Sequence, residues 1–442
     1  MADEKKLFVD EFVDIISNYS DTPNVYAKAG AYHILSSCIG RFIEMPDFKV
    51  SRPNTWFILS SIPGRMRRST IIRYVQAVTH HSLLEYYKAY KQLKKMECSD
   101  EEIKQRVYSN AIDDGNAPGI ADAIIFGNNI GINAFEITCP EIGDLIRKIV
   151  NPSSTTVNVD NLLSRLYYGE SFSQKLSTRG EGRPRFIPEG QYVTMYSGMQ
   201  EPEHYLKEGI SRQGLLRRIK IIYVKSKDLD MKNWKSPHKK GYKNIWDELK
   251  DFANKRVVPL MLDYSKNDLT EVHQTENVNS YIEKKARERD EALIEEETDY
   301  NIYQQTQWEY EIKLAVLDAV SNGITTVDMK NIDNIEDFLE KSSCHIKGVI
   351  DDLGLSSSQI LDEKREQRIL DIISKYGFEG ATSSNIQTGI SSYKKLKLPA
   401  KELNEKLIDM FLRNIIFQRI TKDSCNREKI TWCLNKYKDY KL

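Results

Sequence analysis

Cysteine is scarce in this 442-residue chain, and its six copies, Cys38, Cys98, Cys139, Cys344, Cys425 and Cys433, never form a C-x-x-C pair. The seven histidines form no H-E-x-x-H. Neither a zinc site nor a disulfide framework is indicated, which suits a reducing cytoplasm. No run approaches 18 apolar residues, arguing against a membrane span, and the opening MADEKKLFVDEF lacks the apolar centre of a secretory signal. Internal repeats and low-complexity tracts are missing as well. So is net charge: 64 Lys+Arg balance 64 Asp+Glu. That balance is uneven along the chain. From Lys364 to the end there are 17 basic against 9 acidic residues, or +8, which leaves −8 for Met1 to Glu363. What is present is ordinary globular composition, 40% apolar and 29% charged, in a length that holds two or three domains.

One stretch stands out, Thr55 to Ala77, TWFILSSIPGRMRRSTIIRYVQA. The apolar run Trp56-Phe57-Ile58-Leu59 reads as a buried strand, Pro63-Gly64 as a turn, and Ser69-Thr70 as the start of an amphipathic helix. Strand, basic loop, hydroxyl and helix is a layout that holds phosphate. Backbone N–H groups surround the anion at a helix N-terminus, a cation reaches the terminal phosphates, and a hydroxyl binds Mg²⁺. Against GxxxxGK[ST], Arg68 takes the lysine position and Ser69 the hydroxyl position, while Ile62 and Arg67 stand where the glycines belong. The candidate nucleotide-binding set is Pro63, Gly64, Arg65, Arg67, Arg68, Ser69 and Thr70, with Ser69 also the metal ligand. The competing reading is a basic surface turn before a helix.

Two apolar helices, Lys5 to Tyr19 and Val25 to Ile43, precede this stretch and are expected to pack on it. Downstream, Ile132 to Thr138 reads as a strand with Glu141 just past its end. A P-loop ATPase carries an Asp-Glu pair there, the Asp holding Mg²⁺ through water and the Glu orienting the attacking water. Pro140 occupies the Asp position. Glu141 is then the candidate base, Glu136 a weaker one, and helix capping the alternative role for Glu141. Gln191 to Met195 is strand-like, and Tyr196 to Pro202 is expected to be a loop offering a γ-phosphate sensor, Ser197 or Gln200. Arg217-Arg218 precede another strand, Ile219 to Val224. An arginine there is either a surface charge or a finger that reaches a neighbouring subunit's nucleotide.

The order of a helix pair, WFILSSIPGRMRRST, DDGNAPGIADAI, FEITCPEIGDLI, LLSRLYYGESFSQ, QYVTMYSGMQEP and GLLRRIKIIYV resembles the helicase-like P-loop ATPases of phages, plasmids and archaeal viruses. These in turn are similar to the AAA+ core of minichromosome-maintenance (MCM) helicases. The resemblance covers roughly Lys5 to Leu353 and implies an α/β P-loop (AAA+/RecA-like) core at 51–225, with N-terminal helices at 1–50 packed on it. It also implies a linker and helical lid over 226–360, ATP and Mg²⁺ as cofactors, and a homo-oligomer such as a hexameric ring. Its catalytic residues would be Glu141, Gln200 and Arg218, the finger falling on Arg218 rather than Arg217. DNA and other replication proteins of a mobile genetic element would be its partners, with no membrane.

The basic end reads as three helices, Glu363 to Tyr376, Thr382 to Ile390 and Pro399 to Asn414, followed by strands Ile415 to Thr421 and Lys429 to Leu434. Three helices and a hairpin make a winged helix over 361–442. Such a module sets its third helix in the major groove while the wing touches backbone. Lys394, Lys395, Lys397, Lys401 and Lys406, with Lys422 and Arg427 on the wing, are the DNA-contact candidates, the +8 excess favouring DNA over protein docking. Two functions follow. One is an oligomeric DNA-associated ATPase, a helicase-like motor or replication initiator. The other is a hydrolysis-deficient DNA-binding scaffold on the same core.

Overall fold

The structure is a computed structural model. It describes residues 6–48, 51–62, 66–94, 98–112, 117–150, 158–174, 185–202, 214–225, 242–267, 269–295, 299–344, 346–354, 357–391, 398–422 and 427–435. Pro63, Gly64, Arg65, the 113–116 part of DDGNAPG, Lys394, Lys395 and Lys397 lie outside the described residues. The chain divides into two compact units, 1–354 and 355–442.

The first unit is built on a parallel sheet. Its strands are β1 (Trp56–Ser60), β2 (Ala111–Ile112), β3 (Ala134–Ile137), β4 (Tyr192–Met199) and β5 (Lys220–Tyr223). They lie in the order β2-β3-β4-β1-β5. Every residue of β1 and β4 is buried, as expected for central parallel strands covered on both faces. Side chains alternate between faces, so β1 feeds two separate cores. Phe57 and Leu59 join the N-terminal helices α1 (Phe8–Tyr19) and α2 (Asn24–Cys38) and the long α3 (Arg68–Lys94). Trp56 and Ile58 join α5 (Ala117–Asn129), α6 (Gly143–Val150) and α7 (Asn158–Tyr168) across the sheet. Between α3 and β2 lies α4 (Asp100–Asn110), opened by a capping box of Ser99 and Glu102.

Of the 226–360 region expected as linker and lid, the residues up to Gly354 belong to the first unit. Helix α13 (Trp308–Ser321) is buried on all sides from Ile312 to Ser321. Its Tyr310 hydroxyl lies 2.6 Å from the Trp56 carbonyl and accepts from the Lys220 N–H at 3.2 Å, which anchors α13 to the amino ends of β1 and β5. The stretch Tyr196 to Met199, expected as loop, continues strand β4. Its polar groups are satisfied indoors: the Tyr196 hydroxyl donates to the Tyr26 carbonyl (2.8 Å) and that of Ser197 to the Ile137 carbonyl (3.3 Å). Edge strand β2 had no signal of its own in the sequence, because two residues carry no period.

The second unit consists of α16 (Ser357–Lys375), α17 (Ser383–Ser391), α18 (Ala400–Leu412) and the antiparallel hairpin β6 (Ile416–Lys422) and β7 (Glu428–Leu434). Ala381, just before α17, exchanges backbone hydrogen bonds with Trp432 of β7 at 2.9 and 2.8 Å, an isolated antiparallel bridge beside the hairpin. Ile369, Ile373, Ile386, Leu403, Leu407 and Trp432 fill its core. Among the described residues, no helix of either unit is long and apolar enough to cross a membrane.

Candidate nucleotide site

In an open α/β sheet, ligands bind beyond the carboxyl ends of the strands where successive connections part. Here that point lies between the neighbours β1 and β4: the chain leaving β1 travels to the β2 edge, and the chain leaving β4 passes to β5 on the other side of β1. The basic loop, the segment after β3 and the end of β4 therefore converge.

Arg67 has φ +51°, the left-handed region, at the position where the phosphate-loop pattern expects glycine. For a side chain of this size that backbone costs about 1–2 kcal/mol. The turn it makes places the Arg67 carbonyl to accept from the N–H groups of Thr70 and Ile71, both at 3.0 Å, which opens α3. The Arg67 side chain turns away, donating from Nε to Asp21 Oδ1 at 3.0 Å. Its contribution to the loop is thus backbone geometry, and the expectation that its guanidinium meets phosphate is not what the geometry gives.

Arg68 does face the convergence point. Its side chain is 11% exposed, Nη2 lies 4.0 Å from Glu141 Oε2, and Nη1 is buried with no hydrogen-bond partner among the described residues. A buried guanidinium N–H left unsatisfied carries a desolvation cost unless an acceptor completes it. Ser69 is exposed and Thr70 half-buried in the first turn of α3.

Glu141 is positioned from β4. The Gly198 N–H donates to the Cys139 carbonyl (2.9 Å), the Gly198 carbonyl accepts from the Ile142 N–H (2.7 Å), and the Ser197 hydroxyl accepts from the Cys139 N–H (3.1 Å). From α3, the Gln76 amide donates to Thr138 Oγ1 at 2.6 Å. Gly198 is required for this latch: a Cβ there would stand 2.5 Å from the Pro140 carbonyl oxygen. Glu141 is exposed and does not sit inside the helix that follows it. Glu136, by contrast, is buried away from the site, 3.2 Å from His33 Nε2 and accepting from Ser37 at 3.1 Å. Burial pushes its carboxyl up, yet the hydrogen bonds and charges of His33, His80 and Ser37 outweigh that and leave it lowered. It is a structural carboxylate rather than a base.

Ser197 spends its hydroxyl on the latch, so it is no sensor. Gln200 is half-buried just beyond β4, its carbonyl accepting from the Ser60 hydroxyl at the end of β1. Arg218 lies at the other end of the sheet. It precedes β5, its Nε donates to the Tyr168 hydroxyl and Nη1 to the Gly214 carbonyl, both at 2.6 Å, and its guanidinium stacks 4.9 Å from the Tyr168 ring centroid. With strands rising about 3.3 Å per residue, some 15 Å of sheet separates it from the loop of its own chain. Gly198, Gln76 and the Arg68–Glu141 approach were missed in the sequence; the G of TMYSGM was the available signal.

In the second unit, Lys406 is tied to Glu366 at 3.0 Å, and Lys401 lies 4.0 Å from Glu405. Arg427 is exposed, and of Lys422 only the backbone is described, ending β6. No protein-family model and no curated protein matches the chain.

Proposed function

We propose that the first unit binds a nucleoside triphosphate, ATP with Mg²⁺, at the carboxyl end of β1, as the core of a DNA-associated, oligomeric ATPase of the helicase-like type. The observation that carries this reading is the glycine-like backbone of Arg67, followed directly by Arg68, whose Nη2 approaches Glu141 and whose buried Nη1 has no hydrogen-bond partner among the described residues. The strand order supports it, because β4 separates β1 from β3 and so brings loop, acid and Gln200 to one end. In this reading the N–H groups opening α3 and the Arg68 guanidinium would hold the phosphates, and the Ser69 hydroxyl would be the ligand for Mg²⁺. Arg68 would turn from Glu141 toward the phosphates, and the Glu141 carboxylate would orient the attacking water. Arg218 serves only in trans, completing the site of a neighbouring subunit, which makes turnover depend on assembly. The second unit is read as a winged helix that adds DNA contact through its hairpin, where Arg427 and Lys429 are exposed. Such a protein works in the cytoplasm with other replication proteins of a mobile element.

A second reading, a hydrolysis-deficient scaffold, is favoured by Pro140, which sets a backbone carbonyl against Gly198 where a metal-holding carboxylate is needed. The test is MgATP binding and steady-state ATPase, with and without DNA, for the wild type, Arg68→Ala, Glu141→Gln and Arg218→Ala. Binding lost in Arg68→Ala, and turnover lost with binding kept in the other two, is the expected pattern. Binding without turnover in the wild type selects the scaffold, and absence of MgATP binding overturns the nucleotide site and leaves a scaffold that uses no nucleotide.

A further inference from the structure

A groove opens beside edge strand β5 at the amino end of the sheet, the opposite end from the nucleotide site. Its walls are α11 (Glu276–Glu295), α12 (Asp299–Gln304), α13 and α14 (Met329–Ser343). Two lobes of about 380 and 430 Å³ share Gln304, Glu311, Leu339 and Glu340 and so form one groove along α14. Lys220, the first residue of β5, lines the second lobe and is 3% exposed. Among the described residues its ammonium makes one hydrogen bond, donated to the Ser343 hydroxyl at 2.7 Å. Burial pulls its amine down to about 8, against the pull of Glu311. As acceptor, Ser343 keeps its own hydroxyl proton for another group. Gln307, also 3% exposed, lines the same lobe. Its Nε2 donates to the Arg217 carbonyl at 2.9 Å, while its Oε1 is buried with no hydrogen-bond partner among the described residues. In the first lobe Arg289 donates from Nη2 to Glu311, and its buried Nη1 likewise has no partner among the described residues. These are groups that a polar occupant completes.

The charges around the groove are sorted by lobe. Lys285 is tied to Glu288 at 3.3 Å, Arg289 to Glu311, and Lys341, next to Glu340, to Asp337. What remains is Lys220 and Lys347 in the second lobe, against Glu336 in the first and Glu340 between the two. Lys347 lies 5.3 Å from the Tyr300 ring centroid. Two free cations against two free carboxylates, at opposite ends, select a zwitterion over a phosphate or a polyamine. Glu336 and Ser343 stand two turns apart on α14, about 10 Å along its axis.

We infer that this groove binds a short zwitterionic peptide, two or three residues in extended form, with its carboxylate on Lys220, Ser343 and Lys347 and its ammonium on Glu336 and Glu340. An extended chain covers about 3.3–3.6 Å per residue, so a peptide of this length spans the interval. A free amino acid carries both charges on one carbon and reaches one end alone. The peptide's amide groups supply what the buried wall lacks, an N–H for Gln307 Oε1 and a carbonyl oxygen for Arg289 Nη1. Leu339 and Tyr281 give its side chains an apolar bed. The inference is independent of the nucleotide reading.

The test titrates the full chain, without nucleotide, with alanyl-leucyl-alanine, its N-acetyl form, its C-terminal amide and free alanine, read by calorimetry and saturation-transfer NMR. The unblocked tripeptide is expected to bind, each block to weaken it by about ten-fold or more, and alanine not to bind. Glu336→Gln/Glu340→Gln, both exposed, should weaken the free tripeptide and abolish the penalty of acetylation while that of amidation stays. Lys220→Met should do the reverse. Since Lys220 is buried, the exposed Lys347→Ala is measured beside it, with a smaller effect of the same kind, and melting temperatures verify the fold. Absence of tripeptide binding, indifference to both blocks, or alanine binding as tightly overturns the inference. So does a Glu336→Gln/Glu340→Gln chain that still discriminates against the acetylated peptide.

Discussion

Replacing Gly198 by alanine is the sharpest perturbation of the candidate site, because the glycine has no side chain and acts only through backbone geometry. The added Cβ would lie 2.5 Å from the Pro140 carbonyl oxygen and 3.3 Å from Ile72 Cδ1. The second contact is the end of a flexible side chain, but the first is backbone. Restoring an ordinary separation requires the Pro140 carbonyl to retreat by about 0.7–1 Å, which strains both hydrogen bonds of the Gly198 latch. Overpacking of this kind costs about 1–3 kcal/mol. Glu141 is the next residue, so it moves with Pro140, and its 4.0 Å approach to Arg68 is reset. A misplacement of about 1 Å in a reacting group costs on the order of 100-fold in turnover. The expected outcome is a modest loss in urea denaturation, near-normal binding of a fluorescent ATP analogue, and a disproportionate fall in ATPase rate. Gly348→Ala is the control: nothing lies within 4 Å of a Cβ there, it sits within α15 (Ile346–Gly354), and the change should stabilise by up to about 1 kcal/mol. If Gly198→Ala matches wild type in both stability and turnover, the latch does not position Glu141 and the reasoning fails.

Three further outcomes are expected. Arg67→Gly should keep ATP-analogue affinity within about three-fold and stability within about 1 kcal/mol, since relief of the left-handed backbone offsets the lost Asp21 pair, whereas the β-branched Arg67→Val should lose both. Mixing Arg218→Ala with Glu141→Gln subunits should restore part of the turnover that neither shows alone if the arginine acts in trans; no recovery at any ratio refutes that role. Stability should also depend on pH through Lys313, fully buried between Asn54 Oδ1 (2.9 Å) and the Tyr167 hydroxyl (2.8 Å). Burial pulls its amine down to about 7 from 10.5, against the pull of Glu309. The unfolded chain then binds more protons between pH 7 and 10.5, so stability rises with pH across that window by up to about 1.4 kcal/mol per unit. Below pH 7 this contribution is flat. Urea midpoints of Lys313→Met measured from pH 6.5 to 9 should lose that slope.

Read alone, the sequence determined the elements whose pattern is dense. The continuous apolar run of β1, the helix after the basic loop and the three helices and hairpin of the second unit follow from period and turn chemistry, and β6 and β7 fall within one residue of where alternation puts them. It also singled out Arg68 and Glu141 by their places after two strands. Tertiary structure alone decided which partners they meet. That the Arg67 side chain goes to Asp21 while its backbone does the work of glycine depends on a loop between α1 and α2, 46 residues earlier in the chain. That Glu136 is sequestered depends on His33 and Ser37 of α2, and that Ser197 is a brace rather than a sensor depends on β3 lying beside β4. Burial of Tyr310 and Lys313 in α13, expected as part of a lid, is likewise a matter of which surface the helix covers. Local sequence sets backbone preference over a few residues; satisfying buried charge and polar groups is settled by whatever the fold brings within about 3 Å, and no spacing along the chain encodes that.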